Sequence, residues 1–260
     1  MSLLSRAHCS ILTLAIVAVL PAAQAASVTP VAAENGMVVA AQHLATRVGV
    51  DVLKDGGNAV DAAVAVGYAL AVVYPAAGNL GGGGFMTVQF ADGRKTFLDF
   101  REKAPLAAKP DMYLGPDGNV VKGLSTKGYL AAGVPGTVHG LEYALAKYGT
   151  MKRAALIDPA IRYAQRGFVL DQGDIEMLKT ATDDFRKDAP SSAIFLNKGE
   201  AFEVGQTLVQ KDLAATLKLI RDKGADGFYK GRTAADLVAA SQAGKGLFTQ
   251  ADFDQYTTRE

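Results

Sequence analysis

The sequence predicts a mixed α/β (α+β) fold, and three observations carry that expectation. Ala59 to Tyr74 is rich in Ala, Val and Leu on every side, the pattern of a helix buried inside a layered body and packed against a sheet. Phe85 to Phe90 and Lys95 to Arg101 flank Ala91-Asp92-Gly93-Arg94, which reads as a β-hairpin with an Asp-Gly turn. Beyond Pro135 the chain turns mostly helical, with a glycine at or just after the end of most segments. Composition agrees: 260 residues, 49% hydrophobic and 20% charged, with mean hydropathy +0.13, exclude a disordered, collagen-like or coiled-coil chain.

Charge excludes a class of partners. Lys plus Arg is 27 and Asp plus Glu is 26. The first 25 residues hold Arg6 and no acid, so without them the two signs balance at 26 each. A neutral chain has no electrostatic preference for nucleic acid.

From the N-terminus, Arg6 and His8 precede the apolar run Ile11 to Leu20, Pro21 ends it, and Ala23-Gln24-Ala25 offers small residues at a cleavage site. That is the pattern of a secretory signal over residues 1–25, with a mature chain from Ala26 that is periplasmic or secreted. The run falls short of the roughly 20 apolar residues that span a bilayer, so no stable membrane anchor is expected. The single Cys9 lies inside the signal, which leaves no thiolate nucleophile, disulfide or Cys-ligated zinc. His43 and His139 are far apart and outside any ligand-spaced motif, so they read as satisfied or exposed residues and no metal or other cofactor is expected.

Residues 26–35 read as a flexible lead-in and Met37 to Ala41 as a short strand. His43 to Lys54 has helical spacing and stops at Asp55-Gly56-Gly57. Asn58 suits an N-cap, with Asp61 three residues on as the capping-box acid of the next helix, which Pro75 ends. Gly78-Asn79-Leu80-Gly81-Gly82-Gly83-Gly84 follows a helix and precedes a strand, the reverse of a phosphate-binding loop. These glycines read as places where backbone passes close to backbone, or as room for a ligand. After the hairpin and the turn Gly133-Val134-Pro135-Gly136, helices are expected at 138–148, 160–166 (opened by Asp158-Pro159), 213–223 and 233–243, with 200–208 a loop.

No Gly-x-Ser-x-Gly elbow or Ser-x-x-Lys is present, and two scattered histidines make a poor basis for a Ser-His-Asp triad. Other motifs are specific. Gly36-Met37-Val38-Val39-Ala40, His43-Leu44-Ala45-Thr46, Asp55-Gly56-Gly57-Asn58-Ala59-Val60-Asp61-Ala62-Ala63, Ala77-Gly78-Asn79-Leu80-Gly81-Gly82-Gly83-Gly84-Phe85-Met86 and Asp99-Phe100-Arg101-Glu102-Lys103-Ala104-Pro105 occur in that order. Gly133-Val134-Pro135-Gly136-Thr137, Tyr148-Gly149-Thr150, Gln210-Lys211-Asp212-Leu213-Ala214 and Gly227-Phe228-Tyr229-Lys230-Gly231 follow. Over nearly all of 36–260 the chain closely resembles bacterial gamma-glutamyltranspeptidase, also called glutathione hydrolase.

The resemblance implies an N-terminal nucleophile hydrolase, an αββα sandwich of two stacked sheets between helical layers, of which residues 36–260 form an incomplete, N-terminal part of the large subunit. It implies a proenzyme that cuts itself into two subunits. The new N-terminal threonine of the small subunit is the nucleophile and its own α-amine the base, so neither His, Cys nor metal is required. The implied partners are a gamma-glutamyl substrate such as glutathione, the remaining large-subunit segment and the small subunit.

The family's nucleophile is expected past residue 260, so the 260-residue chain alone is expected to be inactive. Thr257-Thr258 is followed by Arg259-Glu260, whereas the family's small subunit opens with paired threonines before histidine, and Ser27 lies in the lead-in; none of these is expected to be the nucleophile. By resemblance, Arg101 holds the α-carboxylate of the glutamyl group. A guanidinium at a strand end offers a two-pronged fork for a carboxylate, although an arginine beside Asp99 and Glu102 would by itself read as a surface ion pair. Asp61, Asp99 and Glu102 read as cap and strand-end residues. Two other readings compete: a cephalosporin acylase-like amidase of the same fold, and a truncated, non-catalytic periplasmic binding module.

Overall fold

Two helices set the frame. α1 (His43–Lys54) is capped by the Gln42 side chain, which accepts the Leu44 N–H at 2.6 Å, and it buries Ala45, Val48, Gly49 and Val52 along one stripe. α2 (Ala59–Val73) has the expected capping box: Asn58 accepts the Val60 and Asp61 N–H groups, and Asp61 reaches back to the Asn58 N–H. The computed structural model describes residues 31–260; the expected signal segment lies outside the described residues. Met37–Glu260 forms one compact body.

α2 sits at the centre of that body. It packs against α1, α3 (Thr137–Tyr148) and α4 (Arg153–Arg166), and α4 packs in turn against α8 (Lys211–Lys223). This is why α2 is apolar all round: Val64, Ala65, Tyr68, Ala69, Val72 and Val73 are fully buried between helices rather than against the expected sheet. A buried acid ties three of the helices together. Glu142 of α3 accepts the Tyr68 hydroxyl of α2 at 2.8 Å and pairs with Arg153 of α4 at 2.5 Å.

Among the described residues the strands are few. β1 (Phe85–Gln89) and β2 (Lys95–Asp99) pair antiparallel, with Phe85 opposite Asp99 and Gln89 opposite Lys95. Met86, Val88 and Leu98 face the core, whereas Phe85 and Phe97 stack on the outer face at 5.5 Å. The turn differs from the two-residue reading. Phe90 N–H bonds to Arg94 O, leaving a three-residue loop whose Gly93 adopts φ 87°. β3 (Phe168–Val169) and β4 (Thr207–Leu208) form a second two-stranded sheet, so the end of the expected 200–208 loop is a strand held by the buried Leu208. The two stacked sheets that the resemblance implies are thus not completed within the described residues.

Two further expectations are corrected. Met37 to Ala41 is not a strand: no neighbouring strand pairs with it among the described residues, and Met37 and Val39 stay exposed. Pro159 does not open a helix but lies inside α4, whose apolar stripe (Leu156, Ile157, Ala160, Ile161, Ala164) runs continuously past it; packing on α2 and α8 outweighs the hydrogen bond lost to Ala155. Short helices also occupy segments without clear periodicity: α5 (Gln172–Lys179), α6 (Thr182–Phe185), α7 (Ala189–Phe195), α9 (Asp226–Tyr229) and α11 (Gln250–Asp254). α10 (Gly231–Ala243) extends the expected 233–243 helix by two residues at its start.

Asp61 does more than cap. It is fully buried, and beyond Asn58 it accepts the Thr150 N–H (2.9 Å), the Thr150 hydroxyl (2.6 Å) and the Met151 N–H (3.1 Å), fastening α2 to the α3–α4 turn. Burial pushes its acidity the other way, yet these donors together hold the carboxyl below its usual range. Asp61→Ala strands several buried donors and should lower unfolding stability by about 2–4 kcal/mol. Chemical denaturation checks this; a loss below about 0.5 kcal/mol would show the donors finding other partners.

Candidate functional site

The candidate site grows from the end of β2. Pairing continues one step past the strands, where Gly84 and Phe100 exchange both backbone bonds (3.3 and 3.0 Å), and Arg101 is the next residue. Its backbone is pinned from two sides. The Arg101 N–H donates to Asp99 Oδ1 at 3.1 Å, and the Arg101 carbonyl accepts the Tyr256 hydroxyl at 2.8 Å. The guanidinium itself projects outward. It is 67% exposed, lies 5.8 Å from the centroid of the Phe85 ring and meets Glu102 only at 3.5 Å. Asp99, the other acid beside it, is engaged elsewhere: its carboxylate pairs with Arg259 at 2.7 Å. The surface ion pair that an isolated arginine suggests is therefore present, but as a loose contact to Glu102 alone.

Glycines make the close packing possible. A Cβ on Gly83 would lie 2.6 Å from the Phe100 carbonyl oxygen, and one on Gly136 only 2.0 Å from the same oxygen and from the Tyr256 hydroxyl. The glycine run therefore serves backbone approach, one of the two roles expected of it. Its Gly82 carbonyl also accepts the Gly136 and Thr137 N–H groups at 2.7 and 3.0 Å, capping α3, whose N-cap glycine has no side chain to do so.

The last five residues form a strap across this region. Asp99 and Arg259 exchange backbone bonds at 2.8 and 2.9 Å, an antiparallel bridge on the free edge of β2. Glu260 accepts the Thr96 and Tyr143 hydroxyls at 2.7 Å each and also pairs with Lys147 and the Tyr148 hydroxyl; these donors hold its carboxyl far below the usual range. Lys103 donates to the Thr257 carbonyl at 2.9 Å and lies 4.7 Å over the Tyr256 ring. Thr258 meets His139 Nδ1 through its hydroxyl (2.8 Å) and its own N–H (3.3 Å). The N–H contact requires Nδ1 to be the acceptor, so the ring is neutral with its proton on Nε2. No carboxylate holds Nε2 among the described residues, so Thr258 and His139 form a tie rather than an activated nucleophile.

The sequence gives no sign of this strap. Tyr256, Arg259 and Glu260 contact residues more than a hundred positions away, and no local periodicity encodes such pairings. His43 is exposed near Asp171 and His139 is satisfied by Thr258, in line with the bland reading of both. Among the described residues, no three His, Cys, Asp or Glu side chains gather as a metal site, and no helix is long and apolar enough to cross a membrane. An apolar cavity of about 250 Å³, lined by Tyr74, Phe168, Met177, Phe185 and Phe195 among others, shares no residue with the surroundings of Arg101.

Comparison with known proteins supplies the family. The profile described as Gamma-glutamyltranspeptidase matches residues 45–260. The chain belongs to the gamma-glutamyltranspeptidase family. It is 71% identical over 237 residues to a glutathione hydrolase proenzyme of Pseudomonas sp. (strain A14), covering 91% of this chain and 41% of that protein. An acylase ACY 1 proenzyme of Pseudomonas sp. (strain SE83) is more distant, 36% identical over 233 residues, covering 87% of this chain and 42% of that one. The crystal structure of Helicobacter pylori gamma-glutamyltranspeptidase superposes with TM-score 0.87 at 47% identity, covering 88% of this chain and 66% of that chain. The chain thus spans about two fifths of the length of the first relative, and it has the fold of this portion of a gamma-glutamyltranspeptidase.

Within this family member the His139–Thr258 tie carries a pH signature. Burial, with Lys103 adding to it, lowers the His139 pKa from its ordinary value of 6.5. The unfolded chain therefore takes up this proton at higher pH than the folded one, so the contribution of the neutral ring is complete above about pH 6.5 and declines as pH falls below that. Asn cannot titrate and can still accept at Oδ1, so His139→Asn should flatten the fall in Tm between about pH 7 and 5. Equal slopes in the two proteins would remove His139 as the cause.

Proposed function

We propose that this chain is the N-terminal portion, residues 36–260 lying within the large subunit, of an exported gamma-glutamyltranspeptidase. That enzyme breaks the gamma-glutamyl amide of glutathione and related donors and passes the glutamyl group to water or to an amino acid or peptide. In this reading the nucleophilic threonine and its α-amine come from the small subunit. The threonine oxygen bonds to the donor's γ-carbonyl carbon, the amide C–N bond breaks, and the hydroxyl proton goes by way of the amine to the departing nitrogen. The acceptor then takes the acyl group from threonine. The contribution of this chain is recognition: Arg101 holds the donor's α-carboxylate.

One observation carries the proposal. In the motif Asp99-Phe100-Arg101-Glu102 the backbone of Arg101 is pinned while its exposed guanidinium meets only Glu102, loosely at 3.5 Å, which is an arrangement open to a carboxylate. Retention of this motif favours a glutamyl donor over the β-lactam side-chain amides of acylases.

In the complete proenzyme, Arg101→Lys replaces two parallel hydrogen bonds by a mobile point charge, and Arg101→Ala removes both. Donor KM for gamma-glutamyl-p-nitroanilide should rise about 10- to 1,000-fold, while self-cleavage, which does not use the donor's carboxylate, proceeds in both. A KM within a factor of about two of the parent would make Arg101 a structural residue. Residues 26–260 expressed alone should not hydrolyse this anilide; turnover abolished by changing one Ser or Thr of this chain would place the nucleophile here instead.

A further inference from the structure

Arg101 lies past the last paired residue of the hairpin, so β2 alone does not fix the direction in which its side chain leaves the backbone. Two groups do. Asp99 Oδ1 takes its N–H from within the hairpin, and the Tyr256 hydroxyl takes its carbonyl from 155 residues away in sequence. Tyr256 is built into place. It is buried, its ring stacks on Tyr229 at 5.6 Å with 19° between planes, and Phe253 and Phe248 continue the cluster behind Tyr229. Tyr229 is fixed in turn, donating its hydroxyl to Pro135 O at 2.8 Å and accepting the His139 N–H at 3.3 Å. Gly136 leaves the space in which the Tyr256 hydroxyl sits.

We infer that Tyr256 is a positioning residue for donor binding, its hydroxyl holding the Arg101 carbonyl so that the guanidinium meets the donor's carboxylate already oriented. The inference rests on the proposed role of Arg101. Burial, together with the nearby Asp99 and Glu102 charges, pushes the Tyr256 pKa up to about 12, so the hydroxyl keeps its proton and donates throughout the neutral range. The strap that carries Tyr256 is anchored further along by the Asp99–Arg259 bridge and the Glu260 contacts, which restrain the hydroxyl. Pre-orientation of this kind acts on affinity: a freed fork must be re-ordered each time a donor binds.

The test is made in the complete proenzyme with gamma-glutamyl-p-nitroanilide. Tyr256→Phe keeps the stacked ring and removes only the hydroxyl. Donor KM is expected to rise about three- to tenfold, the effect of one backbone hydrogen bond, with kcat within a factor of about two and self-cleavage intact. In an Arg101→Ala background the same change should raise KM by less than a factor of about two, because the group being positioned is gone. Asp99→Ala, which frees the Arg101 N–H and also releases the Arg259 guanidinium that anchors the strap, should raise KM by at least as much, so the test does not hang on one variant folding. If Tyr256→Phe lowers Tm but leaves KM unmoved while Arg101→Lys raises it, Tyr256 is merely structural and the inference fails alone. An equal effect of Tyr256→Phe with and without Arg101 also overturns it. If Arg101→Lys leaves KM unmoved, the reading of Arg101 fails first and takes the inference with it.

Discussion

Phe100 is the point on which this part of the molecule closes. Its ring meets Gly140 of α3 and Gly84 at the head of β1, and its carbonyl oxygen lies against Gly83 and Gly136. Any side chain at Gly136 or Gly140 would have its first carbon about 2 Å from an atom of Phe100, closer than two atoms can approach, so α3 would have to lift off the hairpin. Because Phe100 is buried in this slot, its neighbour Arg101 emerges at one fixed place on the surface. An apolar packing constraint thereby sets where a charged side chain meets the surface.

Polar ties then complete what glycine cannot. A slot lined with glycines has no side chains to cap the adjoining helix, and α3 instead receives the Gly82 carbonyl and the Tyr229 hydroxyl. The acids follow the same logic at longer range. Asp61 joins α2 to the α3–α4 turn, Glu142 joins α2, α3 and α4, and Glu260 joins the last residues to β2 and α3. Asp61 and Glu142 are buried where several donors converge, which is how a charge is kept away from water at tolerable free energy, whereas Glu260 gathers its donors at the surface. The hairpin therefore depends on the strap for its free edge as much as the strap depends on the hairpin.

Local signals were legible where they are strong. Asn58 and Asp61 form the capping box that their spacing announces, the all-apolar run of α2 is buried, and Phe85 to Asp99 is a hairpin. They failed where tertiary contacts outweighed them. Pro159 reads as a helix opening, but the stripe from Leu156 to Ala164 is buried on two sides, and that packing exceeds one missing hydrogen bond. Met37 to Ala41 has the composition of a strand but pairs with no strand among the described residues, and a strand exists only where another supplies its hydrogen bonds.

By itself the sequence determined most of the helix and hairpin pattern and the family, because motifs, caps and periodicities are properties of neighbouring residues. Only the tertiary structure decided that α2 packs on helices, that Asp61 takes donors from Thr150 and Met151, and that Tyr256 reaches the Arg101 carbonyl while Arg259 and Glu260 tie to Asp99 and Tyr143. The reason is one of distance along the chain. A contact between residues 155 positions apart leaves no trace in the local pattern of either, and it exists only once the core between them has packed.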